Sequence, residues 1–258
     1  MIWTFLKRLF RLHHPHVGMF GRTDTGKVRL NNEDSFAILP HRNLMMVADG
    51  MGGHKAGEVA SRTAIEAMVQ LLADDSLRKA AGNQNEIRHL LIHGLRHVNE
   101  KVMSKACESE DYSGMGSTFI MGYVDHGLLY TCHVGDVRAY LLANDLLQLT
   151  RDHTYAAEVS RGTAWQTQTS GTAKVTRHVV SRALGFPFPE DPDCTITQVA
   201  AGNRVLLCSD GLWSMLPDSS LATILSQAAT PEEACDQLIA AANEAGGKDN
   251  ITAVVGFV

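Results

Sequence analysis

Residues 118–142 read TFIMGYVDHGLLYTCHVGDVRAYLL. Three apolar, β-branched runs, Thr118–Val124, Leu128–Val134 and Val137–Leu142, are separated by Asp125-His126-Gly127 and by Gly135-Asp136. Runs of this length, closed by Gly and Asp, are strands joined by tight turns, so the stretch is expected to form a meander. Leu44–Ala48, Arg204–Cys208 and Ile251–Val258 are further strand-like runs. Upstream of the meander, Ala60, Ala64, Ala67, Met68, Leu71 and Leu72 recur at helical spacing, as do Ile87, Leu91, Leu95, Val98 and Val102. Thr230-Pro231-Glu232-Glu233 announces another helix, with Thr at the N-cap, Pro at the first helical position and Glu where a capping box needs it. Strands that mostly follow one another, two helices inserted as a pair and one more near the end predict an α+β layered sandwich of antiparallel sheets flanked by helices.

The chain has 258 residues, 45% of them hydrophobic and 20% charged, enough apolar material for one large domain and too much for disorder. Its net charge of −5, without clustered Lys or Arg in the body, gives no electrostatic reason to expect a nucleic-acid partner. Cys107, Cys132, Cys194, Cys208 and Cys235 contain no CxxC pair, so neither a zinc knuckle nor a disulfide framework is indicated, and a reducing cytoplasm is expected. Residues 1–16, MIWTFLKRLFRLHHPH, form a short basic amphipathic arm. It is too short and too charged to span a bilayer and lacks the apolar core of a signal peptide; a frayed or packed arm is the plainer expectation, contact with a membrane surface or a partner the alternative. Residues 161–178, rich in Thr, Gln and Gly, follow neither period and are expected to be a loop or flap.

The aspartates fall at strand ends. Asp49 closes LMMVA and precedes Gly50, Asp136 follows His133-Val134-Gly135, Asp210 closes VLLCS before Gly211, and Asp249 stands just ahead of the last strand. Several acids gathered at a sheet rim repel one another unless cations offset them. Oxygen-only ligation, with a carbonyl beside a Gly and several waters, suits magnesium or manganese better than zinc. Taken singly, each such Asp is an ordinary turn residue; four in one context are harder to read that way. Arg29, four and five residues before Glu33 and Asp34, has the planar fork that grips phosphate.

These residues resemble the protein phosphatase 2C (PPM-type) family of serine/threonine phosphatases in its bacterial form. The matching stretches, in the family's order, are Gly26–Ser35 (GKVRLNNEDS), Ala48–Ser61 (ADGMGGHKAGEVAS), Gly114–Thr118 (GMGST), His133–Leu141 (HVGDVRAYL), Leu149–His153 (LTRDH), Val180–Gly185 (VSRALG), Leu206–Trp213 (LLCSDGLW) and Gly247–Thr252 (GKDNIT). The resemblance implies a four-layer αββα fold, a central antiparallel β-sandwich flanked by helix pairs, over a single catalytic domain at 17–258. It implies two or three Mn2+ or Mg2+ ions. Asp49 bridges two of them, the Gly50 carbonyl binds one, and Asp210 and Asp249 bind the other. Asp136 shares a third, weaker ion with Asp210, while Glu33 and Asp34 hold metal-bound water. Arg29 matches the phosphate-binding Arg, and His54 the general acid for the departing alkoxide. A water activated by two metals then attacks phosphorus directly. The implied partners are phosphoproteins, with a Ser/Thr kinase opposed in signalling or secretion control, and the chain is expected to be a cytoplasmic monomer. Two features depart from the family: residues 161–178 lack its usual acidic helix and His-Pro pair, and the basic arm lies outside its core.

Three rival readings are weaker. Cys132 and Arg138 have the spacing of cysteine-dependent phosphatases, but the residues between them are strand-like. Gly21–Lys27 (GRTDTGK) nearly spells a phosphate-binding loop, yet Val28 stands where the Ser/Thr would be, so a turn is expected. A non-catalytic phosphoprotein-binding module is the rival of another class, and the retained acids argue against it.

Overall fold

The computed structural model describes residues 17–52, 56–73, 75–160, 179–188 and 190–258. The N-terminal arm, His54 and the 161–178 flap therefore lie outside the described residues. The chain enters through β1 (Gly18–Asp24), β2 (Asp34–Leu39) and β3 (Leu44–Met51), then passes into helices α1 (Ala56–Leu71), α2 (Ser76–Ala80) and α3 (Gln84–Ala106). It returns through β4 (Gly116–Ser117), β5 (Phe119–Asp125), β6 (Leu128–Val134), β7 (Arg138–Leu142), β8 (Leu146–Gln148) and the short α4 (Tyr155–Ser160). Strands β9 (Asp193–Gln198) and β10 (Arg204–Cys208), helices α5 (Asp210–Trp213), α6 (Asp218–Gln227) and α7 (Pro231–Glu244), and β11 (Ile251–Phe257) complete it.

One sheet runs β1-β11-β10-β7-β8 and the other β2-β3-β5-β6-β9, with β4 beside β3. Every pairing is antiparallel. The period of two along each strand separates three apolar layers. In β3, Met45 and Val47 enter the layer between the sheets, where they meet Val205, Leu207 and Val254. Leu44, Met46 and Ala48 face the other way, onto Ala60, Met68, Leu91 and Leu95 of α1 and α3. In the other sheet Leu206, Cys208 and Val255 pack on Leu221, Leu238 and Ile239 of α6 and α7. Two antiparallel sheets between helices are the expected α+β sandwich.

Helix starts follow local chemistry. Thr230 caps α7 by accepting from the Glu233 amide at 3.1 Å, and the Glu233 carboxylate reaches back to the Ala229 amide at 2.7 Å. That satisfies two amides that the helix itself leaves without partners.

Two expectations need correction. β5 and β6 pair as predicted, but β7 leaves them for β10 in the opposite sheet, so Gly135-Asp136 is a crossover between layers and no three-strand meander forms. The register also sets Cys132 of β6 directly opposite Cys194 of β9, and their sulfurs are bonded. These cysteines are 62 residues apart in sequence. A spacing pattern detects only cysteines close along the chain, whereas cross-strand register joins distant ones.

Candidate metal centre

The sandwich delivers acids from both sheets to one rim. β2 and β3 pair with Asp34 opposite Asp49. The Asp49 backbone is fixed where its carbonyl accepts from the Thr118 amide at 2.8 Å and from Ser117 Oγ at 3.0 Å. Asp136 occupies the crossover after β6, Asp210 opens α5 directly after β10, and Asp249 precedes β11. The Asp49 carboxyl is pushed well above the usual range, first by burial and then by the charges of Asp34, Asp210, Asp136 and Asp249. Asp34 is pushed up to about 7 by burial, with Asp210 and Asp249 adding to it. Asp136 also reaches about 7, through burial and then Asp210. Glu33 is raised by burial, with Arg29 opposing and Asp249 and Glu58 adding. The structure thus brings Asp34, Asp49, Asp136, Asp210 and Asp249 into one electrostatic neighbourhood, with Glu33 at its edge.

Arg29 reaches the same rim from the loop after β1. Its Nη2 donates to Asp249 Oδ2 at 2.7 Å, and the side chain is half exposed. Gly50 sits where no larger residue fits: a Cβ there would lie 2.1 Å from the Gly57 carbonyl oxygen. A Cβ at Gly57, in the first turn of α1, would lie 2.3 Å from Glu33 Oε2 and displace that carboxylate. The first turn of α1 thus lies directly against the Glu33 carboxylate, as the dipole of a helix start favours.

Several residues that build this rim are absent from the sequence-based assignments. Ser209 Oγ and Thr252 Oγ1 both donate to Asp34 Oδ2, at 2.7 and 2.6 Å. Thr23 Oγ1, 2.7 Å from Thr252 Oγ1, accepts from Asn32 Nδ2 at 2.8 Å. Asn250 is the knot of the loop: its Oδ1 accepts from the Glu33 amide at 2.8 Å, and its Nδ2 donates to the carbonyls of Thr25 and Asn31 at 3.0 and 2.8 Å. Ser209, Asn250 and Thr252 each adjoin or nearly adjoin a predicted acid, which is the only sequence signal that could have found them. Asp34 Oδ1, by contrast, is buried without a hydrogen-bond partner.

An open cleft of about 900 Å3 adjoins the acids and is lined by Arg138, Asp152, Asp210, Trp213, Lys248 and Asp249. Arg138 is clamped there by both carboxylate oxygens of Asp152, at 2.9 and 2.7 Å, and its guanidinium lies 3.6 Å from the centre of the Trp213 ring. Together with the bonded, fully buried Cys132, this rules out the thiolate reading. Residues 26–28 form a turn and no helix follows them, so the phosphate-loop reading also falls.

Among the described residues, the one group of three His, Cys, Asp or Glu side chains with ligand atoms all within 4.8 Å of each other is His133, His153 and Asp193. Its members are held mostly by the protein itself, although His153 Nε2 makes no hydrogen bond. His133 Nε2 lies 2.9 Å from the Arg151 carbonyl, His153 Nδ1 accepts from the Gly135 amide at 3.1 Å, and His153 Nε2 lies 3.3 Å from Asp193 Oδ2. This is a structural knot. Among the described residues no three rim carboxylates meet that 4.8 Å criterion.

An acid rim with an orphaned buried carboxylate oxygen, carboxyls raised by one another's charges and hard oxygen donors throughout defines the site of a divalent-metal-dependent enzyme. Comparison with known proteins gives the particular family. Residues 21–251 match the family model described as protein phosphatase 2C. A Listeria innocua serine/threonine phosphatase, stp, is 33% identical over 238 residues, covering 91% of this chain and 93% of that protein. The catalytic domain of the serine/threonine protein phosphatase PstP, solved with two manganese ions, superimposes with a TM-score of 0.78 at 34% identity, covering 93% of this chain and 97% of that one. PppA, a regulatory component of the type VI secretion system of Pseudomonas aeruginosa, gives a TM-score of 0.78 at 31% identity over 94% and 97% of the two chains. The chain belongs to the protein phosphatase 2C family and is a metal-dependent serine/threonine protein phosphatase of the bacterial PPM type, acting on phosphoproteins. No helix among the described residues is long and apolar enough to cross a membrane.

Proposed function

We propose that Asp49, the Gly50 carbonyl, Asp210 and Asp249 hold two divalent cations, Mn2+ or Mg2+, and that Asp136 and Asp210 hold a third more weakly. The observation that carries this reading is the uncompensated charge at the rim: Asp34 and Asp136 are both pushed to about 7, and Asp34 Oδ1 has no partner. When bound, the cations supply a water of lowered pKa and neutralise charge on the phosphoryl group. Glu33 and Asp34 accept hydrogen bonds from water at the centre and orient it, Asp34 itself being fixed by Ser209 and Thr252. Arg29 binds the phosphoryl oxygens with donors that its single bond to Asp249 leaves over, and positions phosphorus for in-line attack. His54, which lies outside the described residues, protonates the departing Ser or Thr oxygen. No covalent phosphoenzyme is needed, because no nucleophilic side chain is called upon.

We further infer that residues 17–258 act as one catalytic unit and a monomer, in the cytoplasm, reversing a Ser/Thr kinase. The likeness to a secretion regulator supports a role in secretion control. The basic arm at 1–16 remains a candidate for membrane-surface contact, and the 161–178 flap for substrate choice.

The test is hydrolysis of a phosphothreonine peptide. Activity with Mn2+ should vanish with chelator and fall at least about a hundredfold in Asp49→Asn, a ligand loss costing more than a supporting residue's. A folded wild-type protein that binds Mn2+ and phosphopeptide without hydrolysis would favour the non-catalytic binding module instead.

A further inference from the structure

Helix α3 carries a second metal-binding geometry, far in chemistry from the acid rim. Ile87, Leu91, Leu95, Val98 and Val102 bury one face of the helix against the sheet. His89 and His93, one turn apart, stand exposed on another. Their Nε2 atoms face each other at 2.9 Å, and the ring centres are 4.1 Å apart with planes tilted by 50°. Among the described residues neither ring has another hydrogen-bond partner. In the absence of a cation, two imidazoles in this arrangement share one proton between two lone pairs. A cation bound by both nitrogens at about 2.1 Å, with the ligand angles of six- or four-coordination, sets them about 3.0–3.4 Å apart. The observed separation lies just below that span, so small rotations of the rings that part the nitrogens admit the ion.

We propose that His89 and His93 form a surface chelate for a borderline transition cation, Zn2+ or Ni2+, separate from the carboxylate centre. Imidazole pairs prefer such ions, whereas the oxygen ligands of the rim prefer Mg2+ and Mn2+, so the two sites divide the available cations by ligand type. The i, i+4 spacing on a helix is the same device that presents two His to zinc in metalloprotease helices. Here the helix backbone is already locked by its buried face, so little ordering cost attends binding. Among the described residues no third Asp, Glu, His or Cys ligand atom joins the pair within 4.8 Å, so water completes the coordination.

Calorimetric titration of the full chain with Ni2+, in excess Mg2+ to occupy the carboxylate centre, tests this. The number of Ni2+ ions bound per chain should fall by one in both His89→Ala and His93→Ala. His13, His14 and His16 supply a background, so the difference between proteins is read and not the total. Alanine is the strongest helix former, so both variants should melt as the wild type does in Mg2+ and keep their Mg2+-supported phosphatase activity within about twofold. Ni2+ binding in either variant that matches the wild type in stoichiometry and affinity overturns the proposal.

Discussion

The acid rim and the knot of His133, His153 and Asp193 are both built from ionisable groups withdrawn from water, and they are balanced in opposite ways. In the knot opposite charges meet: Asp193 lies 3.3 Å from the His153 ring and 3.8 Å from Arg182 Nη1. Asp193 is held at about 2, chiefly by its pairing with His153, and His133 is driven to about 4 by burial, neutral beside the ring it stacks on. At the rim like charges accumulate, and Asp34 and Asp136 rise to about 7. Burial therefore does not mark the working site; uncompensated charge does. The knot holds the Leu149–His153 segment to the Gly135 crossover, while the rim keeps an electrostatic debt that a cation can settle.

Breaking the knot should produce the largest change in stability. His153→Ala removes the acceptor for the Gly135 amide, the partner of Asp193 and the ring stacked on His133 at 4.6 Å. The expected loss is about 2–3 kcal/mol in urea unfolding, with turnover per folded molecule nearly unchanged. Unaltered stability would mean that the knot is not structural.

Thr252→Val probes the rim through a group that is not a ligand. It removes one of the two hydroxyls on Asp34 Oδ2 while keeping the side chain's shape. Mn2+ affinity should weaken about tenfold, as found for groups that orient a site, with stability in chelator little affected. Equal affinity would detach Asp34 from the centre.

The smallest effect expected is one of pH. Asp34 and Asp136 titrate near 7 in the folded protein without metal, against an ordinary value of 3.8. Between those values the folded state holds protons that the unfolded state has released, so the metal-free protein is stabilised below about 4 and loses that advantage as pH rises through 7. A cation must expel these protons at pH 6 but finds them gone at pH 8. The stabilisation by Mn2+ should thus be larger at pH 8, by about 1 kcal/mol per carboxyl. Melting temperatures at both pH values measure it, and a gain that is larger at pH 6 would contradict the charge balance described here.

Strands and paired helices were legible because each buries one face: β6 runs as predicted from Leu128 to Val134, and α3 keeps its apolar period through Val102. β1 and β2 were not. Gly21 and Arg22 interrupt the apolar pattern of β1, and Asp34 and Ser35 begin β2 with polar residues because that end forms the rim. The switch of β7 to the other sheet was also hidden, since a Gly-Asp pair reads alike as hairpin turn or crossover. The acids could be found as residues closing strands. The residues holding them, such as Asn250, act through contacts across more than two hundred positions, which no local pattern contains.

β11 lies in the middle of its sheet, between β1 and β10, with Gly18 opposite Phe257. A chain made from its N-terminus onward must therefore hold a slot open between those neighbours until β11 leaves the ribosome. The rim cannot be completed before then, because Asp249 and Asn250 lead directly into that strand.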